Sequence, residues 1–134
     1  IPGKYRIQVL GFDINERRPL GIGAACLALL SFLPEKQRED IIAANAPRYM
    51  TYYGIEDKEV RSWIKRTRKL KYSNSIHIVS SESIGVGAPI LNKKGQVVAA
   101  ISMAGINSRM TSEKRRETAR IILAEIAAVD PPPD

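Results

Sequence analysis

The stretch Ser83–Ala104, SIGVGAPILNKKGQVVAAISMA, decides the fold. It holds two extended apolar runs around Asn92-Lys93-Lys94-Gly95, and an Asn…Gly turn between two such runs is a strong hairpin signal. With a four-residue loop, Leu91 faces Gln96, Gly85 lies opposite Ser102, Ser83 opposite Ala104 and Gly87 opposite Ala100. Residues two apart on a strand share a face. One face then carries Ser83, Gly85, Gly87, Ala100, Ser102 and Ala104, while Ile84, Val86, Ala88, Ile101 and Met103 on the other face are ordinary core. A three-residue loop would slip the register by one and split Gly85 from Ser102.

A face of glycine, alanine and serine leaves volume that close packing fills with something. A packed helix can fill it, and the small residues Gly21, Gly23, Ala24 and Ala25 at the start of the apolar segment Gly21–Leu33 suit that role. A small ligand can fill it too, held by the hydroxyls and by free backbone N–H groups at the same helix start, which suits a carboxylate. The pattern alone leaves both open.

Working outward, Tyr5, Ile7 and Val9 alternate with polar residues as in a half-buried strand. Pro34 fits the first turn of a second helix, and Asn45-Ala46-Pro47 is expected to stop it, leaving Arg48–Gly54 as a loop bearing Tyr49, Tyr52 and Tyr53. Asp57 is the expected N-cap of a third helix with Val60, Trp63, Ile64, Thr67 and Leu70 inward. Ile76, Ile78 and Val79 read as a short strand. Thr111 or Ser112 caps a last helix, whose buried stripe is Ala119, Ile122, Leu123, Ile126 and Val129. This order argues for an α+β fold with an antiparallel sheet, and against a doubly wound parallel one.

The chain has 134 residues, 44% apolar and 26% charged, with a formal charge of +7. That suits one globular domain. No run is long and apolar enough for a membrane span, and no signal peptide is recognisable, so a cytoplasmic protein without membrane contact is expected. One cysteine excludes an internal disulfide, and one distant histidine makes a zinc site unexpected. No cofactor is expected. Basic residues cluster in Arg61–Lys71 and Lys114–Arg120, both read as helical. No aromatic shares their basic faces, since Trp63 belongs to the inward stripe, which favours solvated helix faces over an acidic or DNA-backbone docking surface, with at most weak, non-specific DNA binding. A catalytic thiol or serine needs a nearby base. His77 is the only imidazole, so Cys26 reads as a buried inert thiol, and a small hydrolase or isomerase using Ser102 or Cys26 is the alternative to a binding module.

Three stretches resemble the IclR family of bacterial transcription regulators. RRPLGIGAACLALLSFLP (Arg17–Pro34) resembles the opening of its regulatory-domain helix, and Arg68–Tyr72 its R-x-x-G-Y. Gly85–Gly105 followed by Ser108–Glu117 resembles its A-A-P-V, G-x-V-V-A-A-L-S-V-x-G and S-R-x-T pattern. The resemblance implies a GAF/profilin-like antiparallel sheet flanked by helices. It also implies an effector-sensing domain whose winged helix-turn-helix lies outside this chain, acting as a homodimer or tetramer and touching DNA only through that absent part. Carried over by position, the family's pocket falls on Gly23, Ala24, Ala25, Ser75, Gly85, Ser102 and Ala104, and Ser83, read above on the same sheet face, joins them as a candidate ligand-binding residue. Gly85 and Ala104 replace more polar residues of many members, which implies an organic effector, carboxylate or aromatic, larger or more apolar than a two- or three-carbon keto acid.

Overall fold

The computed structural model describes residues 17–76 and 82–132. The expected strand around Tyr5–Val9 lies outside the described residues, as do His77, Ile78 and Val79. The described fold is α+β: helices α1 (Ala24–Phe32), α2 (Glu35–Tyr53) and α3 (Asp57–Leu70), strands β1 (Ser73–Ile76), β2 (Ser83–Leu91) and β3 (Val97–Ile106), a 3₁₀ turn, and helix α4 (Ser112–Ala128). The sheet is antiparallel in the order β1-β2-β3.

The hairpin forms, but its register is two residues from the expected one. Gly85 pairs with Ala104 and Gly87 with Ser102, while Ser83 faces Ile106. Two separate slips cause this. The Asn92 N–H donates to the Gln96 carbonyl at 2.9 Å, and Asn92 Oδ1 accepts from the Lys94 and Gln96 amides. The turn therefore absorbs Gln96, and the first pair is Leu91 with Val97. A bulge between Ile90 and Leu91 then adds the second slip. Either alone would turn every side chain over; together they restore the face. Gly85, Ser102 and Ala104 thus still share one side of the sheet.

Helix α1 starts three residues later than expected because Gly21 and Gly23 hold φ of 106° and 90°, outside any right-handed helix. Helix α2 runs through Pro47, where a stop was expected. Two turns beyond the proline are anchored: Tyr49 is fully buried with its hydroxyl donating to the Leu20 carbonyl, and Gly54 ends the helix in the left-handed region with its N–H on Met50 O. Tertiary anchoring outweighs the lost amide of Pro47. The N-cap of α3 is Glu56, one residue before the expected Asp57, in a reciprocal capping box with Glu59. Thr111 caps α4, its Oγ1 accepting from the Lys114 amide at 3.2 Å. The expected inward stripe of α4 ends early: Ala119 and Ile122 are buried, Leu123 and Ile126 partly so, but Val129 lies past the last turn and is 68% exposed.

Two apolar clusters result. Ile22, Leu27, Leu30, Ile42, Tyr49, Val60 and Ile64 join α1, α2 and α3. Ile84, Val86, Ala88, Met110, Ala119 and Ile122 join the sheet to α4. The small-residue face of the sheet turns toward α1 and its opposite face toward α4.

Candidate functional site

Two rows cross the small-residue face: Ser75–Gly85–Ala104 and Ser73–Gly87–Ser102. The first residue of α1 lies on them. A Cβ on Gly87 would sit 2.7 Å from Ala24 O, and one on Gly85 would sit 3.0 Å from Ala24 Cβ. The buried Ser73 hydroxyl lies 2.6 Å from Ala24 O and 3.2 Å from Gly87 O. Around Gly85 and Gly87 the helix itself therefore fills the space that missing side chains leave.

The predicted site residues divide accordingly. Ala24 and Ser75 are buried, and Gly23, Ala25, Ser83 and Gly85 are half-buried. Ser102 and Ala104, on strand β3, are exposed. Ser73 was missed by sequence reasoning, although it sits two residues before Ser75 and so shares its face.

Beside this packed zone an open cleft of about 800 Å³ runs between β3, the second half of α4 and the Pro131–Pro132 segment. Its wall is mostly branched and sulfur-bearing apolar side chains, among them Ile101, Met103, Ile122 and Ile126. Ile101 and Met103 are 46% and 54% exposed, an unusual state for large apolar groups side by side on a strand. Ser102 is the predicted site residue that lines it, and Lys71 is its one basic lining residue; Glu125 and Asp130 are the acids. Lys71 caps α3 in the left-handed region at φ 66°, which places its ammonium 5.8 Å from the centre of the Phe32 ring, also on the cleft wall. The cleft was not legible in the sequence, because its walls come from α1, the end of α3, β2, β3, α4 and the segment after it.

Among the described residues the titratable groups show no activated nucleophile. Burial pushes the Cys26 thiol up, against a smaller opposing pull from the Arg18 charge. Burial likewise pushes the Tyr49 phenol up to about 12. The tyrosine group separates: Tyr49 is core, Tyr53 packs partly against it and Tyr52 is 71% exposed. Among the described residues no cluster of three or more His, Cys, Asp or Glu could hold a metal ion. None of their helices is long and apolar enough to cross a membrane.

Comparison with known proteins supplies a family. Residues 6–130 match the family model described as bacterial transcriptional regulator IclR C-terminal. The HTH-type transcriptional regulator KipR of Bacillus subtilis (strain 168) is 32% identical over 102 residues, covering 75% of this chain and 41% of KipR. Among solved structures, Thermotoga maritima IclR superposes with a TM-score of 0.81 at 20% identity, over 95% of this chain and 51% of that one. A double mutant of the PobR inducer-binding domain from Acinetobacter, in complex with 3-hydroxybenzoic acid, gives 0.74 at 21% identity over 93% and 72% of the respective chains. The chain spans about two fifths to half the length of KipR and Thermotoga IclR.

Proposed function

The chain belongs to the bacterial transcriptional regulator IclR C-terminal family, and on that premise we propose that it binds a small organic acid in the cleft beside Ser102 and so modulates DNA binding by another part of the regulator. The observation that carries this reading is the open, mostly apolar cleft with Lys71 as the one base on its wall. Its volume lies within the ~300–1,000 Å³ range of small-molecule sites, which are mostly apolar with a few placed polar groups. An apolar or aromatic body would lie against Ile101, Met103, Ile122 and Ile126. Its carboxylate would meet Lys71 and its polar edge the β3 backbone at Ser102, whose side chain stands on the opposite side of the strand from Ile101 and Met103. The PobR domain's complex with a hydroxybenzoic acid supports an aromatic acid as the ligand class.

The remaining positions, Gly23, Ala24, Ala25, Ser75, Ser83, Gly85 and Ala104, lie outside the cleft wall, on or beside the sheet face that α1 covers. A ligand reaching Gly85 would require Ala24 to move away. Binding couples to DNA affinity only if the ligand prefers one of two arrangements of the regulator, and a homodimer or tetramer supplies such arrangements. Family membership and the raised Cys26 thiol support a binding module over a hydrolase.

A thermal-shift screen of benzoates, hydroxybenzoates and C4–C8 carboxylates tests the reading. A ligand that binds only the native state at about 100 times its Kd adds ~2.7 kcal/mol of stability. At least one such acid should raise Tm, and Lys71→Met should reduce the shift without lowering Tm of the free protein. Stabilisation by glyoxylate or pyruvate at micromolar concentration, with none by the larger acids, would overturn the ligand class.

A further inference from the structure

Helix α3 is built with two unlike sides. At about 100° per residue, Val60, Trp63, Ile64, Thr67 and Leu70 fall on one side of its axis. Of these, Val60, Ile64 and Thr67 are buried. On the other side Arg68, Arg61, Lys65, Lys58, Lys69 and Arg66 follow one another around an arc of about 160°, interrupted only by Ser62.

The acids of this helix do not balance that arc. Asp57 and Glu59 stand in its first turn, where Glu59 closes the capping box and Asp57 pairs with Arg61. Arg61 also pairs with Glu39 of α2, and Lys58 with Glu56. From Val60 to Ile76 the sequence contains no carboxylate at all. Lys65, Arg66 and Lys69 are exposed, and none of the described carboxylates pairs with them. On α4, by contrast, Lys114 is matched by Glu117. Lys65 also joins Arg38, Arg61 and Arg68 around a concavity of about 240 Å³ in which Glu39 is the only acid. Two of those guanidiniums are held in place from below, Arg68 by the Ser31 carbonyl at 2.8 Å and Arg38 by the Leu33 carbonyl at 3.2 Å. Like charges at i, i+4 repel and weaken a helix, so this arrangement gains from a polyanion laid along it.

We propose that the outward ridge of α3, centred on Lys65, Arg66 and Lys69, is a docking surface for the phosphate backbone of duplex DNA. Charge complementarity selects a polyanion. No aromatic residue lies on the arc for bases to stack on, which disfavours single strands. The apolar stripe of α3 is turned into the core, so the helix has nothing to insert into a lipid surface. The choice of DNA among polyanions leans on the family reading, while the ridge does not. Arg61 to Lys69 spans about 12 Å, the axial length of three to four phosphates on one strand. Contacts to about three phosphates give a log–log salt slope near −2.7, or about a 40-fold loss of affinity between 50 and 200 mM salt. Such binding is weak and indifferent to sequence, and would add to the specific contacts of a separate reading domain.

The test is fluorescence anisotropy of a labelled 20-bp duplex of arbitrary sequence, titrated with this chain at several salt concentrations. Lys65→Glu with Lys69→Glu is compared with Arg116→Glu and Arg120→Glu, an exposed pair on α4 that changes the net charge equally. Lys65→Ala with Lys69→Ala serves as the milder variant, and circular dichroism melts confirm that each is folded. The expected result is a loss of more than tenfold at 50 mM salt and a slope shallower by about two for the α3 charge reversal. The α4 pair should stay within about threefold of the parent. Equal losses in both pairs, or affinity that ignores salt, would overturn the proposal. Tighter binding to phosphatidylglycerol vesicles or to poly-glutamate than to duplex would give the ridge to another partner and overturn it too. The acid-induced thermal shift, measured on the same variants, is expected to be unchanged, so failure of the ridge and failure of the effector reading are separable.

Discussion

Replacing Gly87 by alanine probes the contact that positions α1 on the sheet. The new methyl would stand 2.7 Å from Ala24 O, 2.8 Å from Ala24 C and 3.0 Å from Ser73 Oγ. Two of these atoms are backbone, so the helix start has to move. Inserting a methyl into a filled core costs about 1–3 kcal/mol. Moving Ala24 also strains the buried Ser73 hydroxyl contact with its carbonyl, and a buried group left unsatisfied costs ~1–3 kcal/mol. Together they give a destabilisation of about 3 kcal/mol. For 134 residues the unfolding entropy near Tm is ~0.28 kcal/mol/K, so Tm should fall by about 10 °C. Gly85→Ala meets the Ala24 methyl at 3.0 Å, with Met103 O and Ser75 Cβ at an ordinary 3.8 Å, and should cost about 1 kcal/mol. Urea unfolding followed by circular dichroism, with differential scanning calorimetry, measures both. Equal stability of Gly87→Ala and the parent would refute the seating of α1 on this face.

Pro47→Ala restores an amide inside α2 and should raise stability by about 1–2 kcal/mol in the same unfolding assay, because interior proline costs ~3 kcal/mol and alanine regains some unfolded-state freedom. A loss of stability would mean that the proline ring is needed where it sits. Tyr49 holds its proton more tightly when folded, its pKa pushed up to about 12 by burial from an ordinary 10. Its contribution is therefore complete below pH 10 and is lost as pH rises from 10 to about 12. Tyr49→Phe should be less stable at pH 8, from the lost bond to Leu20 O, and should show a flatter decline in urea midpoint across pH 10–12. Parallel pH profiles for the two proteins would contradict this.

The elements legible in the sequence were those whose signals are local. The Asn92–Gly95 turn, the Thr111 cap and the inward stripe of α3 each follow from a few neighbouring residues. The register was not local: it depends on a bulge at Ile90/Leu91 that no residue type announces, and on Asn92 capturing two amides of its own turn. Helix α2 passes Pro47 because Tyr49 reaches 29 residues back to Leu20, a contact invisible at short range. The shared face of Gly85, Ser102 and Ala104 was readable because two slips leave a period of two unchanged. What fills that face was not, since both a helix and a ligand satisfy the same small residues. Ala24 settles it near Gly85 and Gly87, and the open volume lies instead toward α4, where Ser102 alone of the predicted site residues lines the cleft.

The most direct test of the effector reading is a map of where an acid binds. Nitrogen–proton correlation spectra of the labelled chain, titrated with the best acid from the thermal screen, report each backbone amide separately. Saturable shifts should concentrate at Lys71, Ile101–Met103 and Ile122–Ile126, and be reduced in Lys71→Met. Shifts confined to Gly23–Cys26 and Gly85 would place the ligand under α1 and contradict the cleft, and the absence of saturable shifts with every acid would contradict the effector-binding function itself.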